Sequence, residues 1–96
     1  MSVVLINPFD VPADVPDEVF LAGWDAAADF LRNRPGFIGS QLHRSLSPDA
    51  RFRFVNVAEW ESPQHFRDAV TDPAFAELAK EAPPNSPALY EVARAI

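Results

Sequence analysis

Four stretches of the chain carry the two-residue alternation or short apolar run of a β-strand, and two carry the longer period of a helix. The first strand is "SVVLINPF", β-branched and apolar, ending at Pro8. Val3, Leu5, Asn7 and Phe9 share one face of it and Val4 and Ile6 the other. Both faces are apolar, which predicts a central strand covered on both sides. The connection "DVPADVPDE" leads into a helix predicted from Pro16 to Asn33, with Pro16 in the first turn and Asp17 and Glu18 favoured by the helix dipole. Phe20, Trp24, Ala27 and Leu31 recur at spacings of four, three and four, and Phe30 widens the stripe. Gly23 falls on the same side, either to let the helix approach the sheet closely or to leave room for a ligand.

"RNRPGF" ends that helix, because Pro35 cannot continue it and Gly36 permits the turn. "FIGSQLHRSL" is a second strand, with Ile38, Ser40, Leu42 and Arg44 on one face if it is regular, and Phe37, Gly39, Gln41 and His43 on the other. The turn "SPDA" makes a hairpin with a third strand, "RFRFVNVAEWES". "SPQHFRDAV" then opens a short helix with Ser62 as N-cap and Pro63 at its first position. Asp72 and Pro73 repeat the device in "DPAFAELAKEA", a second short helix or a kinked continuation. After the turn-rich "PPNSP", "ALYEVARAI" is the last strand. The order β-α-β-β-α-β predicts an α+β, ferredoxin-like domain spanning residues 1–96, a four-stranded antiparallel sheet with helices on one face. Val55, Val57 and Phe37 are too apolar for the solvent side of that sheet, so the expected partner is a second copy, packed sheet to sheet as a homodimer.

The third strand poses the chemical question. Phe52, Phe54, Asn56, Ala58 and Trp60 project together, and only Asn56 among them is a polar amide. A buried amide without partners costs a few kcal/mol, so Asn56 is either a satisfied structural residue or a polar group aimed into a pocket.

Composition narrows the classes. Fourteen acidic against eight basic residues give a net charge of −6, and only Arg51 and Arg53 approach a basic cluster, which argues against nucleic acid as partner. No apolar run approaches the ~20 residues of a membrane span, and "MSVVLINPFD" has no basic region or small-residue cleavage site of a signal peptide. Without cysteine there is no disulfide framework, thiolate nucleophile or zinc-thiolate site. A cytoplasmic protein is expected. The two histidines, His43 and His65, lie too far apart in sequence to form a recognisable metal site, and both read as surface or interface residues.

The segments "PGFIGSQLHRSL" and "NVAEWES" followed by Phe66, within a pattern that covers residues 2–96, resemble the antibiotic biosynthesis monooxygenase (ABM) superfamily of dimeric ferredoxin-like proteins. In quinone-forming members, aromatic polyketide intermediates are oxidised by molecular oxygen with no metal, flavin or haem. The resemblance implies that Asn56 and Trp60, four residues apart on the third strand, are the catalytic pair. Asn7 would join them in binding the substrate, a small aromatic compound. Phe20, Trp24, Phe54 and Phe66 would supply walls, and Arg44 is a candidate partner for a substrate oxyanion. No cofactor is implied.

The chain departs from the pattern at Phe66, where some members place a tyrosine that handles a proton. Deprotonation would then fall to His43, His65, Tyr90 or the substrate's own acidity. The same departure favours a rival class, a non-catalytic dimeric small-molecule binding protein; a third option is a polyketide cyclase, which needs the pocket and an acid or base but no oxygen. A haem-degrading branch uses an Asn on the first strand, a Trp in the helix after the third strand and an iron-ligating His. Asn7 matches the first, but the others fall at about Ala69 and near Ala79 or Lys80, so the resemblance does not favour haem chemistry.

Overall fold

The computed structural model describes residues 2–96. Strands β1 (Val3–Phe9), β2 (Phe37–Arg44), β3 (Phe54–Trp60) and β4 (Ala88–Tyr90) form one sheet in the order β2-β3-β1-β4, every neighbouring pair antiparallel. Helix α1 (Asp17–Leu31) joins β1 to β2, and α2 (Pro63–Val70) and α3 (Pro73–Ala79) join β3 to β4. This is the ferredoxin-like arrangement expected from the element order. No helix among the described residues is long and apolar enough to cross a membrane.

The central position of β1 agrees with its two apolar faces, and the caps of the short helices form as the sequence predicts. Ser62 Oγ accepts from the backbone N–H of His65, and Asp72 from that of Ala74. A separate helix, not a kinked continuation, therefore begins at Pro73. The core gathers where α2 meets the central strands: Leu5, Ala58, Trp60 and Ala69 are buried together, with Val3, Leu31, Phe37, Phe66 and Leu89 packed around them. Gly36 adopts φ +84°, and the His65 ring lies where a Cβ would project. Both the backbone angle and the packing call for glycine here. His65 is accordingly half-buried, not a surface residue.

Three sequence expectations change. The regular alternation of β2 fails at its start, where a bulge lies between Phe37 and Gly39. Phe37 pairs with Trp60 while Ser40 pairs with Ala58, so Phe37 turns to the helix side and Ile38 is left 49 % exposed. Phe37 therefore does not belong to the outer sheet face. Phe52 lies outside β3, beneath the Arg51 guanidinium at 4.4 Å from its ring centre. Finally, β4 stops at Tyr90 because Tyr90 already lies opposite Val4, near the start of β1, and residues 91–96 run on exposed with no strand to pair with.

Candidate functional site

Between the helix-facing side of the sheet and α1 lies a cavity of about 600 Å³. Its floor comes from β1, β2 and β3, and its roof from α1 and α3. One same-face row of β3 sets out the floor: Phe54, Asn56, Ala58 and Trp60, spaced two residues apart. Asn7 of β1 stands directly opposite Asn56. The polar groups thus sit in the middle of an otherwise aromatic surface.

At one end Phe20 packs between Phe9 and Phe54, with ring centres 5.0 Å and 4.5 Å away. At the other, Trp60 meets Phe37 edge-on at 5.2 Å and Phe66 at 5.8 Å. These separations and angles are those of favourable aromatic pairs. Both clusters are built by residues on different elements, so they hold the sheet and helices apart at fixed distances as well as lining the space.

Asn56 is the one buried polar residue among the described residues, 9 % exposed. The Ser40 hydroxyl donates to its Oδ1 at 2.7 Å, while its Nδ2 has no partner among the described residues. On the neighbouring strand, Asn7 Nδ2 donates to Asn85 Oδ1 at 3.3 Å, and Asn85 Nδ2 donates to the Pro83 carbonyl at 2.9 Å. Asn7 Oδ1 and the Trp60 indole Nε1 are buried with no partner at all. Two unsatisfied polar atoms shut inside the walls of one apolar cavity are unusual in a folded core, where such groups are nearly always paired.

The structure brings Asn7, Phe20, Trp24, Asn56, Trp60 and Phe66 to the cavity surface, as the sequence suggests. It does not bring Phe54 or Arg44. Phe54 is 2 % exposed and supports the floor from beneath the Phe20 ring instead of forming a wall. Arg44 lies at the far end of β2, where its guanidinium meets Asp17 at 3.3 Å; Arg53 meets the same carboxylate at 2.9 Å. Asp17, at the start of α1, thus draws both arginines to the rim and ties the helix to the hairpin. His65 faces a separate recess of about 230 Å³ with Arg34 and Asp68, and its Nδ1 lies 2.7 Å from Ser62 Oγ. His43 is exposed opposite Val55, on the other side of the sheet, so neither histidine reaches the cavity.

Sequence reasoning missed Phe37, Ser40 and Asn85. Phe37 and Ser40 were hidden by the bulge and by the register between β2 and β3. Asn85 sits in a segment that reads only as a turn, yet backbone bonds from Asp10 to Pro84 and from Ser86 to Pro8 lace that segment to the end of β1. Of the two readings of Gly23, the structure favours room: a Cβ there would meet nothing within 4 Å, and the residue lines the cavity.

Fold and site together define a small ferredoxin-like protein with an apolar cavity floored by a pair of amides. The family model for antibiotic biosynthesis monooxygenases matches residues 2–81, and the chain belongs to that family. A heme oxygenase (mycobilin-producing) of Mycobacterium tuberculosis is 38% identical over 79 residues, 82% of this chain and 72% of that one. A candidate monooxygenase from Shewanella loihica is 38% identical, with a TM-score of 0.86 over 98% of this chain and 96% of its own. SnoaB, a cofactor-independent oxygenase from Streptomyces nogalater, is 23% identical, with a TM-score of 0.83 over 99% and 96%; that likeness is one of fold.

The haem relative prompts a test of the cavity's donor set. Haem iron needs an imidazole, thiolate, thioether or phenolate, and haem propionates favour cations. Among the described residues the cavity offers none of these. Its one ionisable lining residue is Glu81, and a carboxylate would repel the propionates. The residues present do not fit haem.

Proposed function

We propose that the protein is a cofactor-independent monooxygenase that oxidises a flat, phenolic, polyketide-like aromatic substrate with molecular oxygen. The observation that carries this reading is the Asn56 amide, buried in an aromatic cavity with its N–H end unpaired. A deprotonated anthrone or naphthol can give an electron to oxygen unaided. The resulting radical pair joins at carbon as a hydroperoxide, and loss of water leaves a carbonyl, so the product gains one oxygen and loses two hydrogens. The protein's part is to exclude water, hold the ring between the two aromatic ends and stabilise the oxyanion with an amide donor. Phe66 carries no hydroxyl and no histidine lines the cavity, so the proton leaves by the substrate's own acidity or to the Glu81 carboxylate in the lining.

The lack of a tyrosine hydroxyl at Phe66 supports a second reading, a small-molecule binding protein without turnover. Val4, Ile6, Val55 and Val57, on the sheet face away from the cavity, support a sheet-to-sheet homodimer in either case.

The deciding experiment is oxygen uptake by metal-stripped protein with a panel of anthrones and naphthols. Wild-type uptake with the expected product mass, reduced ~10²–10³-fold by Asn56→Ala, supports the oxygenase. No uptake, with tryptophan fluorescence still quenched by the same compounds, supports the binding protein.

A further inference from the structure

An asparagine can present either end of its amide to a cavity, and the two ends do opposite things to a developing oxyanion. The N–H end stabilises it and the carbonyl end repels it. What holds the Asn56 amide in place is therefore part of the chemistry.

The residue directly opposite Asn56 on β2 is Leu42; Ser40 lies one same-face step further along, opposite Ala58. The small side chain of Ala58 leaves the Ser40 hydroxyl free to reach sideways, and it donates to Asn56 Oδ1 at 2.7 Å. Asn56 Nδ2 makes no hydrogen bond, yet it is not among the buried side-chain atoms shut off without a partner. It is open, and the cavity is what Asn56 faces. On the other side, Asn7 cannot take over the role of Ser40. Its Nδ2 is committed to Asn85 Oδ1, and Asn85 is held the right way round because its own Nδ2 donates to the Pro83 carbonyl, which can only accept.

We propose that Ser40 is a positioning residue: its hydroxyl, held against Asn56 Oδ1, anchors the Asn56 amide so that its free end meets the substrate at one fixed place. The role in turnover rests on the oxygenase reading; the orientation itself does not. With the hydroxyl removed, Asn56 loses that anchor and its amide is free to turn, so the N–H end no longer meets the substrate in one fixed position.

The test compares wild type, Ser40→Ala, Ser40→Thr, Asn56→Ala and the double variant Ser40→Ala/Asn56→Ala, with 1,8-dihydroxyanthrone as substrate and thermal melts to confirm folding. Ser40→Ala should lower kcat by about tenfold, with KM changed by less than about twofold, a share of the ~10²–10³-fold that one such donor supplies. Ser40→Thr, which keeps the hydroxyl, should restore most of kcat. In the Asn56→Ala background, Ser40→Ala should cost nothing further, because both act through one amide. An equal loss in both backgrounds, or a folded Ser40→Thr as slow as Ser40→Ala, would overturn the proposal.

A second readout needs no turnover. Adding 1-naphthol should shift the Asn56 side-chain NH₂ resonances in ¹H–¹⁵N spectra of wild type and Ser40→Thr, but not of Ser40→Ala. An amide that responds alike in all three, or in none, also overturns it. If no oxygen is consumed but this pattern appears, the oxygenase reading fails and the positioning by Ser40 stands.

Discussion

Asn7 and Asn56 face each other directly across the two central strands, so two amides meet in the middle of a surface that is otherwise aromatic and aliphatic. Directly opposed side chains have Cβ atoms ~4.5–5.5 Å apart, close enough for one substrate ring to meet both. Asn7 Oδ1 is nevertheless buried without a donor. Replacing Asn7 by Leu should remove that desolvation cost and raise stability by ~1 kcal/mol, while lowering turnover. A urea midpoint that rises as oxygen uptake falls is the expected result, and a fall in both would mark Asn7 as structural.

Trp60 is 1 % exposed and its indole N–H is unpaired. Trp60→Phe deletes an orphan donor, a relief of ~1–3 kcal/mol, and leaves a small void of comparable cost. Stability should therefore change little, while affinity for an oxygenated ligand drops. Fluorescence of Trp24, the remaining tryptophan, reports the binding and calorimetry the stability.

Gly23 separates space from helix propensity. A Cβ there meets nothing within 4 Å, so Gly23→Ala should stabilise α1 by ~0.5–1 kcal/mol. Gly23→Phe should fold as well but fill the roof of the cavity and abolish 1-naphthol binding in a titration.

Gly36 behaves in the opposite way. At φ +84°, with the His65 ring where a side chain would go, Gly36→Ala should cost ~2 kcal/mol or more. The loss should appear as a lower urea midpoint with an unchanged slope.

Asp10 accepts hydrogen bonds from Arg51, which, together with the opposite charge, hold its carboxyl below the usual carboxylate value. A lowered carboxylate contributes stability above its unfolded value and loses it as pH falls through the folded one. Both side chains are on the surface, so the contribution is small and screened. In Arg51→Ala the Asp10 resonance should titrate nearer the ordinary carboxylate value, and acid stability should change little.

Much of the site was legible because a strand's alternation is local. Placing Asn7 on β1, and Asn56 and Trp60 on β3, needed only the two-residue period, and the caps at Ser62 and Asp72 needed only neighbours in sequence. The chain's own chemistry thus determined the elements, their order and which face of each central strand would be buried. What no local rule supplies is how one strand lies against the next. The bulge after Phe37 carries that ring from the outer face into the cavity, and the register of β2 on β3 brings Ser40 to Asn56. Pairing with Asp17 takes Arg44 away from the site, and the aromatic clusters at either end leave space under Gly23 where close packing was equally consistent with the sequence. These outcomes depend on contacts between residues far apart in the chain, and the tertiary structure alone decided them.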